Sequence, residues 1–363
     1  MKRAALLTAG AALTAAVFAV AGCSSAPPPH SVAAPVSAEA AIDTTLLLVG
    51  DAGEPAAEEP VLVALSREAA RAPARTTVVF LGDNVYPLGV PAEGAPDRAE
   101  AERRLRAQVD AVREVGALAV FLPGNHDWSQ GGRDGWERVK REGALVEAWG
   151  ARMEPKHGCP GPVPVDLGAR VRLVALDTQW WLHPFAKPRE AASGCETFTE
   201  DAVLEALGKA VGEEAGDRAV VVVAHHPLQS GGPHGGYFPL ADHAFPLQNL
   251  VPWLWLPLPG LGSIYPLARN SGISPQDFSG KANRHMRDAL ERALSTKPPL
   301  VYASGHDHSL QVLLPGEKHL PRALLVSGAG IHGDTSPVAR RPSTVFARSA
   351  AGFLRIDVMK ESG

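Results

Sequence analysis

Cysteine is scarce, with three in 363 residues. There is no long basic run either: 35 Lys and Arg stand against 39 Asp and Glu, a formal net charge of −4. A grip on nucleic acid needs a clustered positive face, so no nucleic-acid partner is expected. No internal repeat is present. What the chain has is apolar content. At 45% hydrophobic it can build one large core or two small ones.

The N-terminus reads as a targeting segment. Lys2 and Arg3 precede an Ala-rich apolar run, and Val20-Ala21-Gly22-Cys23 matches a bacterial lipobox. Residues 1–22 are therefore expected to be a lipoprotein signal peptide cut before Cys23. An ordinary signal peptide or an uncleaved anchor is the alternative, which the placing of Cys23 disfavours. Two or more acyl chains on Cys23 would hold the protein stably to a membrane. The expectation is an exported protein, lipid-anchored on the periplasmic or cell-surface side of a bacterial membrane. Residues 23–41, rich in Ser, Ala and Pro, read as a tether, with one catalytic domain over 42–360. In an exported chain Cys159 and Cys195 are expected to form a disulfide, two free thiols being the alternative.

Val- and Leu-rich runs of strand length recur at Thr44–Val49, Thr76–Leu81, Ala117–Leu122, Val171–Leu176, Ala219–Ala224, Pro299–Ala303 and Ala323–Ser327. Their near-continuous apolarity suits strands buried on both faces. Gly352–Val358 alternates instead, as an edge or half-buried strand does. Between the runs, Asp97–Val115, Thr199–Val211 and Ala282–Leu294 have helical patterning. Asp97 and Glu100 can form a capping box. Strands alternating with helices predict an α/β core. Arg152–Gly168 and Trp180–Gly194 read as long loops. An insertion at about 235–280, with Trp253, Trp255 and many Pro, has no clean period. It is expected to pack irregularly on the body; a lip near the pocket or a lipid-touching surface is the alternative.

Five blocks follow strand-like runs: Gly50-Asp51-Ala52-Gly53, Gly82-Asp83-Asn84-Val85-Tyr86, Gly124-Asn125-His126-Asp127, Ala224-His225-His226-Pro227 and Gly305-His306-Asp307-His308. In four of them Gly directly precedes the candidate ligand, where a strand must turn sharply as it leaves a sheet. Ligands at the carboxyl ends of neighbouring strands would meet in one crevice. Together the blocks offer the oxygen and imidazole donors that two adjacent metal ions need, and point to metal-assisted hydrolysis of a phosphate ester. Two adjacent His at a strand end point to opposite faces, so His226 is expected to be structural. His306 and His308, two apart, can share a side if the backbone is extended.

These blocks, with Val326-Ser327-Gly328-Ala329-Gly330, resemble the motifs of the calcineurin-like metallophosphoesterases. More narrowly they are similar to purple acid phosphatases of the small, tartrate-resistant type, on Asp-x-Gly in the first block and on Tyr86. The resemblance covers roughly residues 44–358. It implies an α/β/β/α sandwich of four layers, two mixed β-sheets flanked by helices. It implies that Asp51, Asp83, Tyr86 and His308 hold iron(III). Asp83, Asn125, His225 and His306 would hold a divalent iron, zinc or manganese ion, with Asp83 shared. Hard carboxylate and phenolate donors suit the trivalent ion, while an amide and imidazoles suit the divalent one.

With two carboxylates, a phenolate and a hydroxide against both ions, the centre would keep about +1 and attract a phosphate without Arg, which the motifs lack. His126 is the expected group for orienting and protonating the leaving alkoxide, and His234 matches a substrate-side His of the family. Asp127 and Asp307 are expected to orient neighbouring His rings. The implied activity is hydrolysis of phosphate monoesters. A phosphodiesterase or nucleotide hydrolase of the same superfamily is the alternative, and a non-catalytic binding lipoprotein a weaker one. Oligomeric state is left open.

Overall fold

The structure, a computed structural model, describes residues 41–245, 247, 256–258 and 260–360. The expected signal peptide, Cys23, nearly all of the tether, Trp253 and Trp255 lie outside the described residues. The elements run β1 (Ile42–Val49), α1 (Pro60–Ala69), β2 (Thr76–Phe80), α2 (Arg98–Arg113), β3 (Leu118–Phe121), α3 (Gly135–Ala148), β4 (Arg152–Met153), β5 (Val163–Leu167), β6 (Val171–Ala175), α4 (Gln179–Leu182), α5 (Glu200–Val211), β7 (Ala219–Val223), α6 (Leu240–Ala244), α7 (Ile264–Asn270), α8 (Lys281–Leu294), β8 (Val301–Ser304), β9 (Leu310–Leu313), β10 (Ala323–Ser327), β11 (Thr344–Arg348) and β12 (Leu354–Met359).

Two mixed sheets form. One has the order β12-β1-β2-β3-β4 and the other β11-β9-β10-β8-β7-β6-β5. In the first, β1 to β4 run parallel and β12 pairs antiparallel with β1. In the second, β6, β7, β8 and β10 are parallel. The apolar runs explain the stacking through the two-residue period of a strand. Leu46 and Leu48 of β1 face the second sheet, as do Val79 and Leu81, and Val120 and Leu122. They meet Leu173, Val221, Val223 and Ala303 there. The alternate residues Leu47, Val49, Val78 and Phe80 face Leu65 of α1 and Leu105 and Val109 of α2. On the far side, Val174, Val222 and Tyr302 pack on Leu207 of α5 and Met286 and Leu290 of α8. The fold is thus an α/β/β/α sandwich with three apolar layers. Each fully buried Leu or Val contributes about 1.5–3 kcal/mol. Among the described residues no helix is long and apolar enough to cross a membrane.

Local expectations fare unevenly. β12 is an edge strand, and Leu354, Ile356 and Val358 pack against the layer between the sheets. Thr199 caps α5, its hydroxyl accepting from the Ala202 amide at 3.4 Å. The capping box at Asp97 does not form: that side chain makes no capping bond, and Glu100 pairs with Arg103 and Arg104 at 2.7 and 2.9 Å. Arg103 and Arg104, one turn further along α2, claim the exposed Glu100 carboxylate before a backbone amide can. The segment 152–168 is not all loop. It contains β4 and β5, and Pro164 is tolerated in β5 because that strand lies at a sheet edge. Cys159 and Cys195 form a disulfide, with Cα atoms 5.6 Å apart.

The sheets are joined at the carboxyl ends of β1 and β10. The Gly50 amide donates to the Ser327 carbonyl at 2.7 Å, and the Gly330 amide donates to the Gly50 carbonyl at 3.0 Å. All five blocks emerge at this end.

Candidate metal centre

Asp51 follows β1, Asp83 and Tyr86 follow β2, Asn125 and His126 follow β3, His225 follows β7, and His306 and His308 follow β8. Because β1, β2 and β3 run parallel to one another, as do β7 and β8, their carboxyl ends deliver these side chains to one place. Donor atoms of Asp51, Asp83 and His225 all lie within 4.8 Å of one another.

Two subclusters result. In one, the Tyr86 hydroxyl stands 3.3 Å from Asp51 Oδ1 and 3.2 Å from His308 Nε2, and His308 Nε2 is 3.3 Å from Asp51 Oδ1. In the other, His225 Nε2 is 2.9 Å from Asn125 Oδ1, 3.4 Å from Asp83 Oδ2 and 3.2 Å from His306 Nδ1. Donors that share one ion at about 2.1 Å stand roughly 3.0–3.4 Å apart, so both groups have the spacing of a ligand set.

The outer nitrogens supply an independent test of fit. A ligating imidazole is normally anchored through its other ring N–H to a carbonyl or carboxylate. His225 Nδ1 lies 2.8 Å from the Leu81 carbonyl, His306 Nε2 lies 3.1 Å from the Gln276 carbonyl, and His308 Nδ1 lies 3.1 Å from Asp334 Oδ1. Each acceptor holds the outer nitrogen and turns the inner one toward the cluster. The residues therefore fit two metal ions.

No family model matches the chain, and no curated protein matches it. Among solved structures it is similar to GAP50, described as the anchor in the inner membrane complex of Plasmodium. That likeness is 14% identity with a TM-score of 0.46, over 86% of this chain and 80% of that one, a level that carries no argument about the site.

The backbone here is unusual. Asp51, Asp83 and His306 have φ of 59°, 56° and 70°, in the left-handed region that non-glycine residues enter at a cost of about 1–3 kcal/mol each. Glycine was expected to carry the sharp turns. Only Gly82 of the four does so, with φ of 93°. Gly53 serves close approach instead: a Cβ there would come within 2.6 Å of the Asp83 carbonyl oxygen and 2.7 Å of the Val85 amide. His306 and His308 likewise reach the two subclusters through the left-handed turn at His306, not through an extended backbone.

Other expectations need correction. His226 does not point away from His225: β7 has ended at Val223, so strand alternation no longer applies. The two rings lie 4.9 Å apart, and His226 sits between Thr178 Oγ1 at 2.8 Å and Gln276 Oε1 at 2.7 Å. Nor do Asp127 and Asp307 orient imidazoles. Asp127 accepts from the backbone amides of Asn84, Val85 and Gly124 at 2.9, 3.0 and 2.7 Å, clamping the turns after β2 and β3 together. Asp307 accepts from the His234 amide at 3.1 Å. The carboxylates that hold imidazoles are Asp334 on His308 and Asp277 on His234, the latter at 2.9 Å from Nδ1. Neither stands in a motif, so nothing in the sequence marks them. Asn84 was also passed over, although it lies inside a block. Its side-chain amide donates to the Leu122 carbonyl at 2.7 Å and to Glu142 at 2.9 Å.

The electrostatics are tightly interlocked. Burial opposes charge on Asp83, yet His225 and His126 overcome it and hold the carboxyl below its usual range. Burial also opposes the His225 imidazolium, but Asp83 pushes the ring up to about 9. Burial, then Asp51 and Asp83, push the Tyr86 phenol well up. Burial, then His234 and His226, push His306 down, so that ring is neutral. The same balance keeps protons on Tyr86, His225 and His308.

His126 sits at the rim. Its amide donates to Asp83 Oδ1 at 2.8 Å and its Nδ1 lies 2.7 Å from the Pro87 carbonyl. Nε2 is left toward the cluster, 3.9 Å from Asp83 Oδ2. His234 stacks on His306 with ring centroids 3.8 Å apart.

Proposed function

We propose that this chain is a metal-dependent phosphomonoesterase of the calcineurin-like metallophosphoesterase superfamily, with a centre of the purple acid phosphatase type. The observation that carries the reading is convergence: ligand-type side chains from five strand ends, spread from Asp51 to His308, form two subclusters with ligand spacing and anchored imidazoles.

Asp51, Tyr86 and His308 would hold iron(III), and Asn125, His225 and His306 a divalent ion, with Asp83 serving both. When bound, the pair would supply Lewis-acid neutralisation of a phosphoryl group and acidify water. Uptake of cations would displace protons on Tyr86, His225 and His308, so loading would release protons.

The chain's own residues do the rest. Asp83, fixed by the His126 amide, sets the spacing of the two subclusters. His126, with Nδ1 toward the Pro87 carbonyl, presents Nε2 to the mouth. There it delivers a proton to the leaving alkoxide. His234, its Nδ1 anchored on Asp277, keeps Nε2 available on the other side of the mouth and shares that task. The lipobox supports attachment of Cys23 to lipid on an exported chain.

The test is to produce residues 24–363, load them with iron and zinc, and measure metal content, visible spectrum and hydrolysis of a simple aryl phosphate. The reading expects two ions per chain, a phenolate-to-iron(III) absorption band lost in Tyr86→Phe, and hydrolysis lost in His306→Ala. Two zinc ions with no band would remove the purple assignment. Absence of hydrolysis with both sites loaded would remove the enzyme.

A further inference from the structure

A cavity of about 670 Å³ opens directly over the candidate centre, with His306, His308 and His234 in its lining. The insertion supplies much of the remaining wall, including Phe238, Tyr265 and Pro266. Phe238 and Tyr265 pack edge to face, ring centroids 5.9 Å apart at 81°. This volume exceeds what a phosphate alone needs and lies within the range of pockets that enclose a whole small organic molecule.

The charges of the wall narrow what could fill it. Among the described lining residues the one permanent cation is Arg269. It is already committed, forming a two-pronged pair with Asp277 and donating to the Tyr265 hydroxyl at 2.6 Å. Asp277 in turn holds His234, so the network braces the wall and offers no vacant donor fork to a second phosphate.

Resting on the phosphoesterase reading above, we propose that the insertion builds a subsite for the alcohol portion of the substrate. Its preferred substrates are phosphate monoesters of bulky apolar alcohols, with the phosphate at His306 and His308 and the apolar body against Phe238 and Tyr265. Nucleoside di- and triphosphates and small polar phosphate esters are disfavoured. Their extra charge or hydroxyls would meet aromatic faces without a compensating partner.

The test compares kcat/KM for 2-naphthyl phosphate, glycerol 2-phosphate and ADP on the metal-loaded mature chain. It also titrates 2-naphthol, the apolar product, onto metal-stripped protein by fluorescence. A preference of about 10-fold or more for the naphthyl ester over both others is expected, and because an aryl leaving group alone favours that ester, only its dependence on Phe238 counts for the subsite. Phe238→Ala should cut the naphthyl-to-glycerol ratio about fivefold and Phe238→Leu restore most of it. Saturable 2-naphthol binding should weaken in parallel in Phe238→Ala. Equal rates for the naphthyl and glycerol esters, preference for ADP, or a ratio indifferent to Phe238→Ala overturns the subsite. If the loaded chain hydrolyses no ester, the phosphoesterase reading falls. The 2-naphthol titration then decides the pocket alone: binding that Phe238→Ala weakens upholds an apolar subsite, and no saturable binding overturns it.

Discussion

Asp334 offers the sharpest test of how the centre is held, because it lies in no motif and touches only the outer face of one ligand. Its Oδ1 is 3.1 Å from His308 Nδ1, while His308 Nε2 faces Asp51 and Tyr86 at 3.3 and 3.2 Å. Burial works against a protonated His308, yet Asp334 and Asp51 overcome it and push the ring well above its usual range. The perturbation is Asp334→Asn, which keeps the size and a hydrogen-bond acceptor but removes the charge. Removing an outer carboxylate from a ligating imidazole typically weakens metal binding 10–100-fold. The Asp334 side chain is 53% exposed, so solvent screens the pair and the lower end applies. The expected loss is about tenfold, or about 1.4 kcal/mol. Asp334→Ala, which also frees the ring to rotate, should approach 100-fold. Chelator competition on the mature chain reads the affinity, and kcat/KM for an aryl phosphate reads the consequence. On the proposed reading, binding of the other ion, at His225, Asn125 and His306, should be unaffected. Affinity and kcat/KM within about twofold of wild type in both variants would show that Asp334 does not set the orientation of His308.

Gly53→Ala places a Cβ against the Asp83 carbonyl and the Val85 amide, both backbone, so the turn after β2 must shift. A loss of about 1–3 kcal/mol in urea unfolding, together with reduced metal content, is expected. Replacing both Cys159 and Cys195 by Ser opens a link spanning 36 positions and should cost about 2–4 kcal/mol; an unchanged urea midpoint would contradict this. Burial, then Asp127, raise the carboxyl of Glu142 well above its ordinary value. The folded chain therefore binds a proton that the unfolded chain releases. That stability is complete below the unfolded carboxyl range and is lost as pH rises through the folded value. Glu142→Gln removes the loss, so the variant should gain on wild type with rising pH by up to about 1.4 kcal/mol per unit. Equal slopes between about pH 5 and about pH 9 in thermal or urea unfolding would refute the assignment.

Much of the architecture was legible because each central strand announces itself twice. In β1, Leu46 and Leu48 serve one interface and Leu47 and Val49 the other, so the run is apolar throughout. That pattern belongs to a strand covered on both faces, and it recurs before every block. The candidate ligands were legible too, since Asp51, Asp83, Asn125, His225 and His306 each follow such a run by one to three residues. β5 was not, because Pro164 masks a strand that only an edge position permits.

The chain by itself determined the strand period, the two-faced burial and the donor types carried to each strand end. These are local properties, written in the alternation and chemistry of adjacent residues. Tertiary structure alone decided that Asp334 faces His308, that Gln276 and Leu81 anchor His306 and His225, and that Phe238 and Tyr265 wall the cavity. It also decided the left-handed turns at Asp51, Asp83 and His306, whose amide donates to Asp51 Oδ2 at 2.8 Å across 255 positions. Asp and His enter that region more readily than most residues, but local preference alone leaves it sparsely populated. The turns persist because contacts between distant segments of the packed sheets over-determine them.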